Sequence, residues 1–184
     1  MRLKTLSDID VRNKTVLLRV DFNIELEKDG TLATWEEFKI KNIFSTLEYL
    51  LKKKCRIIFL SHRGRPKGVD KSLSLEPIVE QLKKMLGDSS KEVLRRAQHD
   101  ILFFHSVYSI RPEIVKPGII AVAENIRFPG GEELGDLKFA KGLSCLGDVY
   151  VNDAFADVHR RHATMTKLPE LLPSCAGLAL EKEF

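Results

Sequence analysis

Cysteine is scarce in this 184-residue chain: Cys55, Cys145 and Cys175 are an odd number with no C-x-x-C spacing. That argues against a disulfide framework or a thiolate metal cluster. Cys55 abuts one aliphatic run and Cys175 lies in another, so both read as small buried hydrophobes, a usage that suits a reducing compartment. No segment approaches the apolar length needed to cross a bilayer. The stretch Met1 to Asp8 has no leader-like apolar run, so a cytoplasmic location is expected. An excess of one charge is also missing, since 30 Lys and Arg against 26 Asp and Glu leave only +4, with the two signs interleaved. A nucleic-acid binder would show a basic stripe with aromatic residues between. The nearest approach, Lys52-Lys53-Lys54, reads as the solvated end of a helix, where cations suit the dipole. The Walker spacing G-x-x-x-x-G-K-[ST] is absent, as are internal repeats, low-complexity tracts and an internal domain boundary.

What is present is a break repeated four times, from an aliphatic run into charge. Thr15-Val16-Leu17-Leu18-Arg19-Val20 ends in Asp21-Phe22-Asn23, and Arg56-Ile57-Ile58-Phe59-Leu60 ends in Ser61-His62-Arg63-Gly64-Arg65-Pro66. Ile119 to Ala123 ends in Glu124-Asn125-Ile126-Arg127. Val149-Tyr150-Val151 ends in Asn152-Asp153-Ala154-Phe155, with His159-Arg160-Arg161-His162 beyond. In an open parallel sheet ligands bind outside the carboxyl ends of the strands. Cations delivered there by several loops predict a site for a small, highly anionic molecule.

The length suits one domain with a real core, and 43% hydrophobic against 30% charged residues is globular composition. Periodicity predicts a helix over 37–53, another over 75–86 with Ser74 as a cap and Gly87 as a stop, and a third over 134–146 that turns Leu134 and Leu137 inward. A fourth covers 89–98 and leads into the strand Ile101 to Phe104. The link from Phe104 to Ile119 has room only for a short helix, and the chain is expected to finish on the strand Ser174 to Leu178 with no helix after it. Strand–helix alternation forces mostly parallel pairing, and strands apolar on consecutive positions are buried on both faces. The expected fold is a three-layer α/β/α, Rossmann-like domain with a mostly parallel sheet of about six strands.

Each loop has a plain reading beside the functional one. Asp21 and Asn23 can bridge ligand hydroxyl groups or simply serve the turn. His62 and Arg65 can donate to oxyanions, with Gly64 and Pro66 shaping the loop, or be surface charge. Arg127 can face an anion or pair with Glu124. Around His159-Arg160-Arg161-His162 flanking cations repel a divalent ion, so anion contact through Arg160 and His162 is preferred over a metal.

These segments are similar to the amino-terminal domain of phosphoglycerate kinase. The resemblance is carried by Arg19-Val20-Asp21-Phe22-Asn23, Ser61 to Gly68, Glu124-Asn125-Ile126-Arg127-Phe128, Val151-Asn152-Asp153-Ala154-Phe155, His159 to His162, Leu172 to Gly177 and Glu181-Lys182-Glu183. It runs in order along the whole chain. It implies reversible phosphoryl transfer, 1,3-bisphosphoglycerate plus ADP giving 3-phosphoglycerate plus ATP. In the family this domain binds the phosphoglycerate, while a carboxy-terminal domain binds Mg-ADP or Mg-ATP and closes over it about a hinge. Carried over by motif, Asp21 and Asn23 hold the hydroxyl and carboxyl end of the substrate. His62, Arg65, Arg127 and Arg160 surround its 3-phosphate, and His159 and His162 sit beside it. Lys39 falls where the family has an arginine on the reacting acyl phosphate, so it is the candidate catalytic residue, with the charge kept and the planar fork lost. Arg63 replaces an apolar residue, and Ala156-Asp157-Val158 replaces a glycine-led segment, altering local charge. On this reading residues 1–184 are the phosphoglycerate-binding domain without its nucleotide-binding partner, and are expected to lack turnover alone. The competing expectation is a non-catalytic anion-binding or partner-docking module on the same fold.

Overall fold

The sheet places the four charged loops side by side. In the computed structural model, which describes residues 3–184 and so leaves Met1 and Arg2 of the stretch read for a leader outside it, six strands form one sheet. They are β1 (Thr15–Arg19), β2 (Arg56–Leu60), β3 (Ile101–Phe104), β4 (Ile120–Ala123), β5 (Val149–Asn152) and β6 (Ser174–Ala176), in the order β3-β4-β2-β1-β5-β6. Every neighbouring pair is parallel. From central β1 the chain lays β2 alongside, places β3 at the edge and returns to insert β4 between β2 and β3, then crosses back to lay β5 and β6 on the other side. The loops after β4, β2, β1 and β5 therefore leave one edge of the sheet as neighbours, beside the switch in winding where α/β sheets hold ligands.

Side-chain alternation along the strands produces the three layers. Val16 and Leu18 of β1, with Ile57 and Phe59 of β2, join one apolar cluster with the helices α1 (Glu37–Asn42), α2 (Phe44–Lys52), α3 (Glu76–Gly87) and α4 (Glu92–Ala97). Leu17, Ile58, Leu60 and Tyr150 face the other way, onto α5 (Leu137–Ser144), α6 (Ala163–Thr166) and α7 (Leu168–Leu171). Both faces of β1 are sealed from water, which explains its unbroken apolar run. Cys55 and Cys175 are buried as expected, whereas Cys145 is exposed.

Several boundaries differ from the periodicity. The single helix expected over 37–53 is two, parted at Ile43, whose N–H reaches the Ile40 carbonyl in a tighter turn. Leu134 does not face the core; it is 83% exposed, because Gly135 at φ +63° breaks the backbone and Asp136 then caps a helix that begins only at Leu137. Leu137 is itself exposed. Over 89–98 only Glu92–Ala97 is α-helical. The Phe104–Ile119 link holds two single 3-10 turns, Val107–Ser109 and Pro112–Ile114, in line with its length.

The largest correction is at the carboxyl end. A helix, α8 (Leu178–Lys182), follows β6 where none was expected. Its nucleus is supplied from elsewhere in the chain: Asp153 Oδ1 accepts the Ala179 and Leu180 N–H groups at 3.0 and 2.9 Å, and Thr46 Oγ1 accepts that of Leu178 at 2.8 Å. A five-residue helix cannot sustain itself on local propensity, so these remote acceptors account for it. Replacing Asp153 with alanine should cost about 1–2 kcal/mol of stability by urea unfolding, with amide exchange accelerated first at residues 178–182.

Candidate anion-binding site

The loop after β1 carries Asp21 and Asn23. Asp21 Oδ1 accepts the Asn23 N–H at 3.0 Å, and Asn23 Oδ1 accepts the Gly64 N–H at 2.8 Å. Both side chains thus do turn chemistry, and Asn23 also ties the β1 loop to the β2 loop. Asp21 keeps one oxygen clear of that turn bond, and burial pushes its carboxyl above the ordinary range. Lys39, on α1, reaches back so that Nζ lies 2.7 Å from the Asn23 carbonyl and 2.7 Å from Glu36. Asp21 and Lys39 line the same cavity of about 200 Å³, walled by Phe38, Asp153 and Phe155.

The loop after β2 enters the interior before it turns. Ser61 accepts the Phe22 N–H and donates to the Val20 carbonyl, locking the two loops together. His62 is buried, with Nδ1 2.9 Å from Arg19 Nη2 and 3.4 Å from Asp157. Since an arginine can only donate, Nδ1 accepts and the proton sits on Nε2. Burial, reinforced by the Arg19 charge, holds the ring's pKa down to about 2, so His62 is a neutral donor at physiological pH. Gly64 takes φ +63°, and its own carbonyl accepts from Arg127 at 2.6 Å. Arg63 is spent on the frame, donating to the Ile24, Ser72 and Ser74 carbonyls. Arg65 is exposed at the rim of the loop.

Arg127 does not pair with Glu124. That carboxylate is occupied by Ser74 and by the Leu75 and Asn125 N–H groups, where it caps the start of α3. Ser74, expected as the cap, acts partly through it. Asn125 in turn donates to the Arg63 and Leu73 carbonyls, fastening the β4 loop to the β2 loop. Arg127 is 2% exposed; one amino group is on Gly64, while Nε, 3.5 Å from Glu133, and Nη2 have no hydrogen-bond partner among the described residues. His62 Nε2 and His162 Nδ1 are in the same condition.

Beyond β5, Arg160 Nε lies 2.8 Å from Asp157 without the alignment of a hydrogen bond. His162 is buried beside Glu132, and His159 is exposed. His62, Arg127 and Arg160 form one electrostatic cluster, since, besides burial, both arginine charges lower the pKa of His62 and the Arg160 charge also lowers that of Arg127. Asp21, Asn23 and Lys39 form an adjoining group. Arg65, on the same loop as His62, has no side-chain hydrogen bond or ion pair with the cluster among the described residues.

Arg19 and Asp157 are the members that sequence reasoning did not single out as site residues. Arg19 occupies the last position of β1, on the same face as Leu17, and is 0% exposed. It donates to the Val20 carbonyl, to Thr164 and, at 2.8 Å, to Asp157. Burial alone would raise Asp157, but the arginines around it outweigh burial and hold the carboxyl below its usual value. Glu132, also missed, is fully buried and accepts both the hydroxyl and the N–H of Thr164, nucleating α6. A cation closing an apolar strand was the visible signal for Arg19. A wider cavity of about 670 Å³ lies between the β2 and β3 loops, lined by Lys71, His105, Tyr108 and Phe128, and includes none of these arginines.

The family model for phosphoglycerate kinase matches residues 6–184. This chain belongs to the phosphoglycerate kinase family. It is 38% identical to the phosphoglycerate kinase of Coprothermobacter proteolyticus and 40% identical to that of Pelotomaculum thermopropionicum, in each case over 100% of the chain and 44% of the relative. The solved phosphoglycerate kinase of Coxiella burnetii superposes with a TM-score of 0.83 at 28% identity, over 99% of this chain and 43% of that one. The chain therefore spans less than half the length of the family members it matches.

His62 makes stability fall with acidity. The unfolded ring takes up a proton near pH 6.5 and the folded one only near pH 2, so unfolding is favoured as pH drops below about 6.5. Relative to His62→Gln, wild-type unfolding free energy should decline by about 2 kcal/mol between pH 7 and pH 5, read from urea melts; parallel pH profiles would refute the neutral buried ring.

Proposed function

We propose that residues 1–184 form the amino-terminal, phosphoglycerate-binding domain of a phosphoglycerate kinase, acting on 3-phosphoglycerate and 1,3-bisphosphoglycerate. One observation carries this reading: Arg127 is buried with Nε and Nη2 unmatched, beside the equally unmatched Nε2 of His62. Orphaned donors in the interior are costly, and their convergence at the carboxyl edge of a parallel sheet suits an oxyanion. Arg127, His62, Arg160 and, from the rim, Arg65 take the 3-phosphate. Asp21 and Asn23 orient the hydroxyl and carboxyl end in the adjoining cavity. Lys39 supplies a point charge toward the reacting acyl phosphate, where stabilising charge matters most in phosphoryl transfer.

On this reading the magnesium nucleotide is held outside this chain. Among the described residues no group of three or more His, Cys, Asp or Glu side chains could hold a metal ion, and no glycine-rich phosphate loop is present. We assign Mg-ADP and Mg-ATP to a nucleotide-binding domain such as the longer family members have room for. A cytoplasmic location goes with this reading, and no helix among the described residues is long and apolar enough to cross a membrane.

Titration calorimetry with 3-phosphoglycerate tests the site. Arg127→Met should lower affinity about a hundredfold, equivalent to the 2–3 kcal/mol of a charged hydrogen-bonded contact, and Arg65→Ala by about tenfold from its exposed position. A wild-type protein that binds no 3-phosphoglycerate, or variants that bind it equally well, would refute the assignment. A coupled assay of the 184-residue protein alone should show no turnover, with activity appearing when a family nucleotide-binding domain is added. Phosphoryl transfer needs donor and acceptor held in one dry cleft. The Glu36 carboxylate on Lys39 favours a second reading, a non-catalytic anion-binding module; phosphoglycerate binding with no turnover in the reconstituted assay is the outcome that would select it.

A further inference from the structure

We infer that Asp157 is a built-in carboxylate ligand of the basic cluster, an internal competitor that an incoming phosphate group must displace. The inference rests on the anion site proposed above and concerns what limits its affinity.

Asp157 closes the 3-10 turn Phe155–Asp157 after β5 and is 2% exposed. Oδ2 lies 2.8 Å from Arg19 Nη2 and 3.4 Å from His62 Nδ1, and Oδ1 lies 2.8 Å from Arg160 Nε. One carboxylate thus meets guanidinium groups rooted in β1 and in its own loop, with the neutral His62 ring alongside, and two converging guanidinium groups are what an external oxyanion would seek. Arg127 stands apart, on Gly64 and near Glu133, with two donors unmatched. The cluster has one half already neutralised by Asp157 and an open half around Arg127. A ligand can use the open half at once, but it gains Arg19 and Arg160 only by taking them from Asp157.

The segment bearing Asp157 is suited to give way. Phe155, Ala156, Val158 and His159 are all exposed. The turn is held by three backbone bonds, Asp157 N to the Ala154 carbonyl and Val158 N to the Phe155 carbonyl, both 3.1 Å, and Arg160 N to the Asp157 carbonyl at 2.9 Å, so the Asp157 side chain can swing out while its backbone stays. Exchange also selects by charge. A monoanion replacing Asp157 leaves the three guanidinium groups no better neutralised than before, whereas a phosphate dianion brings a second charge. Glu132 competes little, because burial favours its neutral form and both its oxygens are engaged by Thr164. The internal carboxylate therefore favours phosphorylated over merely carboxylated ligands while weakening both.

Calorimetry with 3-phosphoglycerate and with inorganic phosphate, on wild type, Asp157→Asn and Asp157→Ser, tests this. Asparagine keeps the shape and removes the charge; serine removes most of the group. Both variants should bind 3-phosphoglycerate at least tenfold more tightly than wild type. Each should also melt lower without ligand and recover more on its addition, since the buried Arg19 then depends on the added anion. Binding by the variants alone supports the inference equally. Wild-type binding with equal or weaker affinity in folded variants overturns it, showing that Asp157 positions the arginines, and leaves the proposed function standing. Binding by none of the three overturns both. Should neither variant fold, the carboxyl carbon resonance of Asp157 in the wild-type protein decides: it should shift when 3-phosphoglycerate saturates the site, and a stationary signal overturns the displacement.

Discussion

The structure around the candidate site depends on one buried charge. Arg19 ends the central strand in full enclosure, and a guanidinium cannot lose its proton to escape the cost. Its neighbours must therefore be polar and fixed. Val20 supplies a carbonyl, Thr164 a hydroxyl, His62 a ring nitrogen and Asp157 a counter-charge. These partners come from β1, the β2 loop, the β5 loop and α6, so satisfying one side chain draws four separate pieces of chain together. Thr164 is held in turn by Glu132, which extends the network one step further into the domain.

Around that centre the loops are braced by amide and carboxylate side chains rather than by more backbone pairing. Asn23 joins the β1 loop to Gly64, Asn125 joins the β4 loop to the β2 loop, and Glu124 anchors the start of α3 against the same crossing. Arg63 adds a fourth brace through three backbone carbonyls. A rigid frame of this kind holds unmatched donors in place without allowing them to collapse onto a nearby carbonyl, which is what preorganised binding requires. The bracing residues occupy the most motif-like segments of the chain, so their types follow from loop construction as much as from ligand contact.

The fold was legible because its signals are local and redundant. Aliphatic runs of four or five residues, separated by helical periodicity, force a parallel sheet, and the family motifs fall in loops along one edge of it. What escaped detection was non-local. Helix α8 forms because Asp153 and Thr46, distant in sequence, accept its first N–H groups, and no pattern near residue 178 announces that. Leu134 was misplaced because apolar spacing continues through Gly135, whose backbone conformation overrides it. The individual candidate residues were legible as charged loop positions, but their partners were not. Asp157 was visible only as an altered local charge, and its grip on Arg19 and Arg160 emerges only when three loops meet.

The two parts of the site differ in their relation to water. Arg127 and His62 are enclosed, so their donors act in a medium where electrostatic attraction is strong. Asp21 and Lys39 instead are only partly enclosed and line a cavity whose rim includes Phe38 and Phe155, both substantially exposed. On the reading proposed here, the phosphate end of a substrate would be gripped in the fully enclosed part and its reacting end left at the partly exposed mouth. Charge supplied by Lys39 is reduced there, since Glu36 already shares it and the side chain is a quarter exposed. The apolar rim would matter only once covered, because excluding water from that mouth strengthens the lysine's pull on a developing negative charge. Binding and chemistry would then be separable along a single crevice, the first set by buried arginines and the second by whatever closes over the aromatic rim.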